Sequence, residues 1–244
     1  MTKVLVISDV HANQVALEAV LADAGEADEV WCLGDVVGYG PRPNESIQLI
    51  SALPKLTCMM GNHDYASINE MTLETFNTDA RKALLWQRNA IDANSRDFLK
   101  SQSTGPLVIG DVTLAHGSPR DTIWEYIMNT LVARLNLDHF TTMACMVGHS
   151  HFQAIFQYNS QENDLTIEVP KSGERYPLLD RAILNPGSVG QPRDRDPRSA
   201  YAFFYPEERV WEPRRVEYDI PKVQAQILAA GLPHRHAERL SGGW

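Results

Sequence analysis

Five short apolar runs in this chain end in the same way. Val4–Ile7 is followed by Ser8-Asp9-Val10-His11, and Glu29–Leu33 by Gly34-Asp35. Leu56–Met60 leads to Gly61-Asn62-His63-Asp64, Val112–Ala115 to His116-Gly117, and Ala144–Val147 to Gly148-His149-Ser150-His151. Short apolar runs bounded by glycine and acidic residues read as buried strands. Five of the eight histidines therefore lie at strand ends, beside Asp, Asn or Gly. In α/β sheets the loops after the carboxyl ends of strands converge on one edge, where ligand sites are built.

Seven residues at these ends carry oxygen or imidazole donors: Asp9, His11, Asp35, Asn62, His116, His149 and His151. A single zinc ordinarily takes four ligands, so seven suit two divalent ions that share a carboxylate. The set is nitrogen and oxygen without sulfur, which favours Mn, Fe, Zn or Ni over softer ions. In extended backbone residues i and i+2 face the same way, so Asp9 with His11, and His149 with His151, are expected to point together. Taken singly, each residue has an ordinary explanation as a helix cap, a turn former or a satisfied core histidine. The argument rests on their order. His139 reads as a helix-end residue, and His234 with His236 as part of a polar C-terminal tail.

The remaining pattern places these ends on a fold. Lys3–Ser8, Glu29–Leu33 and Leu56–Met60 alternate with helices over Val15–Ala24, Asn44–Leu53 and Leu73–Ala93. The second half is richer in strands, at Val112–Ala115, Ala144–Val147, Ala154–Tyr158, Leu165–Val169, Arg181–Leu184, Tyr201–Tyr205 and Val210–Tyr218. Helices are expected at Leu131–Phe140 and Pro221–Ala230. Alternation followed by many strands predicts an α/β (α+β) chain: a two-sheet β-sandwich flanked by helices. With scattered proline and glycine and no repeat, residues 1–244 read as one domain.

At this point the chain resembles the calcineurin-like metallophosphoesterase superfamily. Asp9-x-His11, Gly34-Asp35, Gly61-Asn62-His63-Asp64, His116 and Gly148-His149-x-His151 match its motifs in order, the first three at intervals of about 25 residues. The segment Asn185-Pro186-Gly187-Ser188-Val189-Gly190-Gln191-Pro192-Arg193 resembles the bacterial phosphodiesterase branch. The resemblance implies that Asp9, His11 and His151 bind a first metal, that Asn62, His116 and His149 bind a second, and that Asp35 bridges them. It implies that His63, oriented by Asp64, assists the leaving group while a hydroxide held between the ions attacks phosphorus. Ser8 replaces a glycine common in the family, a change expected to matter little. Val36-Val37-Gly38-Tyr39-Gly40 lacks the Asp-Arg-Gly of the protein Ser/Thr phosphatases, so that activity is not expected.

The expected substrate is a small phosphorylated or nucleotide-like diester, with Tyr39 and Arg193 as contacts. A phosphomonoester or a dinucleoside polyphosphate is the alternative, and a non-catalytic scaffold on the same fold is a further one. The charge balance is 22 Lys+Arg against 31 Asp+Glu, a net of −9, which disfavours bulk binding to nucleic acid or an anionic membrane. The first apolar run is too short for a signal peptide or a membrane span. Cys32, Cys58 and Cys145 lack disulfide or zinc-knuckle spacing and read as reduced core thiols of a cytoplasmic protein.

Overall fold

The computed structural model describes residues 1–244, the side chains of residues 70–72 excepted. Twelve strands form two mixed sheets. The first contains β1 (Val4–Ile7), β2 (Glu29–Cys32), β3 (Leu56–Cys58), β9 (Tyr176–Pro177), β11 (Ser199–Tyr205) and β12 (Val210–Val216) in the order β3-β2-β1-β11-β12-β9. The second contains β4 (Leu107–Ile109), β5 (Val112–Leu114), β6 (Ala144–Met146), β7 (Ala154–Asn159), β8 (Asp164–Glu168) and β10 (Ala182–Asn185) in the order β4-β5-β6-β10-β7-β8. Strands β1, β2 and β3 run parallel in one sheet, and β5, β6 and β10 in the other.

Both faces of each sheet are covered, which is why the strands read as unbroken apolar runs. On β1, Val4 and Val6 face the opposite sheet, where they meet Met146 and Leu184, beside Phe204 of the neighbouring β11. Leu5 and Ile7 face outward and pack on α1 (Gln14–Ala24) and α2 (Pro43–Ser51) through Leu17, Val20, Ile47 and Ile50. On β6, Ala144 and Met146 point inward while Cys145 and Val147 meet Ala133 of α6 (Thr130–Asn136). The layers are helix, sheet, sheet, helix, as expected from the sequence. Cys32, Cys58 and Cys145 are buried and free.

The long helix expected over Leu73–Ala93 is broken. Asn62–Ile68 forms α3, a 3-10 turn covers Glu70–Thr75, Thr78–Ala90 forms α4, and Ala93–Lys100 forms α5. Side-chain caps explain the breaks: Asn77 accepts from the Ala80 N–H and Asp92 from the Ser95 N–H, each starting a new helix. The C-terminal segment is not a tail. Ile220–Ala229 (α7) and His234–Gly242 (α8) form a hairpin whose Val223, Ile227, Ala237 and Leu240 pack with Ala83 of α4. His236 is therefore core-facing, 3 % exposed.

The loop after β5 is held by Glu125. Its carboxylate accepts from Ser118 Oγ at 2.7 Å and Asn136 Nδ2 at 2.8 Å, and pairs with Arg120. Burial alone would raise the Glu125 pKa, but the hydrogen bonds from Arg120, Asn136 and Ser118 prevail and bring it to about 2. A carboxyl depressed in the folded state stabilises above its unfolded value, and that contribution is lost as pH falls from about 4.5 toward 2. Glu125→Gln is expected to lower Tm at neutral pH, with the gap from wild type closing below about pH 4.5; thermal melts across pH check this. Phe204→Ala, at the centre of the inter-sheet core, is expected to cost about 3–5 kcal/mol and to lower Tm by roughly 6–20 °C, measurable by calorimetry.

Candidate metal centre

The carboxyl ends of the six parallel strands meet at one edge. Backbone hydrogen bonds tie the loops together there: Asp9 N–H to Gly34 O, Gly148 N–H to His116 O, Gly190 N–H to Asp9 O. The local backbone is not extended. Asp9, His11, Asp35, His149 and His151 all take positive φ, between 51° and 63°, a left-handed conformation that non-glycine residues rarely adopt. Asp9 and His11 do converge, as expected, but through a left-handed turn. His149 and His151 do not share one cluster: His151 joins Asp9 and His11, whereas His149 joins Asp35 and His116.

Each buried carboxylate is divided between two tasks. Asp9 Oδ2 accepts from Ser8 Oγ at 2.6 Å and from the His149 N–H at 3.0 Å, while Oδ1 has no hydrogen-bond partner. Oδ1 lies 3.2 Å from His151 Nε2 and 3.6 Å from His11 Nε2. Asp35 Oδ1 accepts from the His63 N–H at 2.8 Å, while Oδ2 has no partner and lies 3.4 Å from His116 Nε2 and 3.7 Å from His11 Nε2. Asn62 Oδ1 stands 3.2 Å from His116 Nε2. Gly61 is required at its position, since a Cβ there would come within 2.0 Å of Asp35 Oδ1.

The imidazoles are aimed by their other nitrogens. Nδ1 of His11, His116 and His151 meets the carbonyl oxygens of Val37 (3.0 Å), Leu33 (2.8 Å) and Gln191 (2.6 Å). A ring N–H committed to a carbonyl leaves the Nε2 lone pair for a cation, the usual arrangement of a metal-ligating histidine. His149 is reversed: its Nε2 meets the Trp124 carbonyl at 3.2 Å, leaving Nδ1 for the centre. Two nitrogens, His11 Nε2 and His151 Nε2, stand only 3.0 Å apart. Two carboxylate oxygens without partners, ringed by lone pairs, fit divalent cations. Asp35 belongs to two of the three candidate clusters, with His116 and His149 in one and with His11 and His63 in the other.

The charges agree. Burial would raise the pKa of Asp9, but His151 and His11 hold it well below the carboxylate range; burial opposes in the same way at Asp35, where His116 and His63 prevail and lower it. Burial brings His149 and His151 down to about 3, leaving them neutral. At His116 burial is overcome by Asp35, and the ring stands at about 9. A cation at the centre would replace the proton on that ring.

Asp64 does not orient the His63 ring. Its carboxylate accepts the backbone N–H groups of Val37 (2.9 Å), Gly61 (3.1 Å) and Val36 (3.2 Å), spanning the loops after β2 and β3. A side chain at the third position of a helix reaches back to its N-terminus, which turns Asp64 away from its neighbour. Burial, with Asp35 adding, raises Asp64 to about 7. The His63 ring is held instead by Tyr39 at 4.4 Å, Phe76 at 4.8 Å and His11 at 4.9 Å between centroids. Burial pushes its pKa well below the usual value.

Ser8 is not incidental, since it fixes the outer oxygen of Asp9. The Asn185–Arg193 segment is a brace: Asn185 Nδ2 donates to Gly148 O, Ser188 Oγ to Asp9 O, and Gln191 O meets His151. The sequence marks this segment by its Pro-Gly pair but not by its role. Beside the centre lies a cleft of about 380 Å³. Tyr39 and Arg193 line it as expected, Arg193 Nη2 donating to Tyr39 Oη at 3.2 Å. Phe76, Trp124, Tyr126 and Arg239, which no motif marks, line it too.

The comparisons with known proteins agree with this geometry. The model of the calcineurin-like phosphoesterase superfamily domain matches residues 2–209. A protein of Methanocaldococcus jannaschii is 37 % identical over 97 % of this chain and 96 % of its own length. The crystal structure of a metallophosphoesterase from Sphaerobacter thermophilus is 45 % identical and superposes with a TM-score of 0.91, covering 100 % of this chain and 99 % of that one. A Pyrococcus horikoshii protein shares the fold at 18 % identity, with a TM-score of 0.79 over 100 % of this chain and 99 % of its own. With every motif in order and its donors gathered at one sheet edge, the chain belongs to the calcineurin-like phosphoesterase superfamily.

Proposed function

We propose that the protein is a metal-dependent phosphodiesterase of the bacterial branch of its superfamily, acting on a small phosphorylated or nucleotide-like substrate. The observation that carries this reading is the pair of buried carboxylate oxygens, Asp9 Oδ1 and Asp35 Oδ2, without hydrogen-bond partners and facing histidine nitrogens. Asp9, His11 and His151 would hold one divalent ion, and Asn62, His116 and His149 a second, with Asp35 between them. The donor set suits Mn, Fe, Zn or Ni. Such ions, when bound, polarise phosphoryl oxygens, lower the pKa of water and stabilise developing charge.

The chain's own residues do the rest. Arg193, on the cleft wall, pairs with phosphate oxygens through a planar, bidentate donor. Tyr39 supports that guanidinium and packs on His63. Hydrolysis adds the oxygen of water to phosphorus, breaks the bond to the leaving oxygen and places a proton there. His63 lines the cleft and supplies a ring N–H toward that oxygen. Asp64 acts at one remove, holding the backbone that carries Asp35 and His63.

Added Mn²⁺ is expected to support hydrolysis of bis(p-nitrophenyl) phosphate at a higher kcat/KM than p-nitrophenyl phosphate. Asp35→Asn should reduce turnover to background, and His63→Ala should lower kcat by about 10²–10⁴-fold. Metal-dependent activity unaffected by both changes would overturn the reading. Loading gives a second readout: free Mn²⁺ at a hundred times its Kd should stabilise the fold by about 2.7 kcal/mol, raising Tm by roughly 5–11 °C. Asp35→Asn should lose that rise.

A further inference from the structure

The superfamily model ends at residue 209, yet the cleft does not. Arg239 reaches the cleft wall from α8, beyond the matched region, because the α7–α8 hairpin packs on α4. It stands there with Arg193. Both are half-buried, and neither pairs with an Asp or Glu side chain among the described residues. Arg193 Nη2 bonds only to Tyr39 Oη and Gln191 Oε1, and its Nε is buried without a partner. Arg239 Nε donates to the backbone oxygen of Trp244, the last residue of the sequence, and its guanidinium lies 5.9 Å from the Trp244 ring, while its terminal nitrogens make no hydrogen bond among the described residues. Among the described residues that line the cleft there is no Asp or Glu.

Two guanidiniums on one cleft wall, with no carboxylate side chain lining that wall among the described residues, oppose one another. Burial, with Arg193 adding, lowers Arg239 to about 10. In a chain of net charge −9, keeping two such cations together in a half-buried wall is unfavourable unless an anion joins them. The metal centre already accounts for the scissile phosphate, and a simple diester brings a single negative charge. The rest of the wall is aromatic: Phe76 and Trp124 pack edge to face at 5.8 Å, and Tyr126 lies against His149 at 3.8 Å. Flat ring faces beside arginines suit a nucleobase with its phosphates.

We propose that Arg239, with Arg193, holds a further phosphate of the substrate beyond the one at the metal centre, so that the preferred substrates are nucleotide-like phosphoesters carrying at least two phosphates. The proposal rests on the phosphoesterase reading above. Arg239 is a specificity-determining residue in this account, and the hairpin after the family domain is what delivers it.

The test uses the full-length, Mn²⁺-loaded protein, freed of excess ion. Binding of adenosine 5′-diphosphate and adenosine 5′-monophosphate is measured by calorimetry, and their competition against bis(p-nitrophenyl) phosphate by kinetics. Wild type should bind the diphosphate at least about tenfold more tightly, as expected for one charge-assisted contact. Arg239→Gln should bring the two ligands within about twofold, while Arg239→Lys should retain part of the preference. Equal binding by wild type, or a preference that survives Arg239→Gln, would overturn the proposal. Hydrolysis of bis(p-nitrophenyl) phosphate separates the two readings. Its absence from wild type would count against the phosphoesterase reading, while the calorimetry still decides the role of Arg239.

Discussion

Two carboxylate oxygens, on Asp9 and Asp35, are fully buried and accept no hydrogen bond from the protein. A buried charge left in this state is unfavourable by several kcal/mol. The backbone adds to the cost: Asp9, His11, Asp35, His149 and His151 are all left-handed, each unfavourable by about 1–3 kcal/mol for a residue with a Cβ. Such a cluster persists only where the surroundings over-determine it. The two sheets do this by burying both faces of every parallel strand that leads to the site. The loops are then pinned to one another rather than to solvent, as Ser188 Oγ to Asp9 O and Asn185 Nδ2 to Gly148 O show.

The same constraint explains why the fold and the site differ in how readily they are read from sequence. Buried strands such as β1 and β6 are covered on both sides, so their apolar runs are unbroken and their ends are sharply marked by Asp, Gly and His. That is why the donors at 9, 11, 35, 62, 116, 149 and 151 stand out. Their sorting does not. His149 and His151 are two residues apart, and only the left-handed backbone at both sends them to different clusters. Asp64 reads as a partner of His63 by adjacency, but a helix starting at Asn62 turns it back onto three N–H groups. Helix α7 is read at Pro221–Ala230, but α8 is missed for another reason: His234-Arg235-His236 carries no apolar signal although His236 is core.

The structure thus divides its labour by rigidity. Donors sit on sheet ends, where a small shift would break several backbone bonds at once. The cleft walls come from helices and loops: Phe76 follows a 3-10 turn, Trp124 lies in the loop braced by Glu125, and Arg239 rides on a helical hairpin. Donors that need fixed distances are placed on the first kind of support, and the walls of the neighbouring cleft on the second. This also removes an apparent conflict in the charge balance. A net of −9 would repel a phosphate if it acted as a whole, but charges beyond roughly 8–10 Å are screened at physiological salt. Within that range the cleft wall presents Arg193 and Arg239 and, among the described residues, no Asp or Glu side chain. The acidic surface and an anionic substrate are compatible because the attraction is built locally, at the one edge where six strands end.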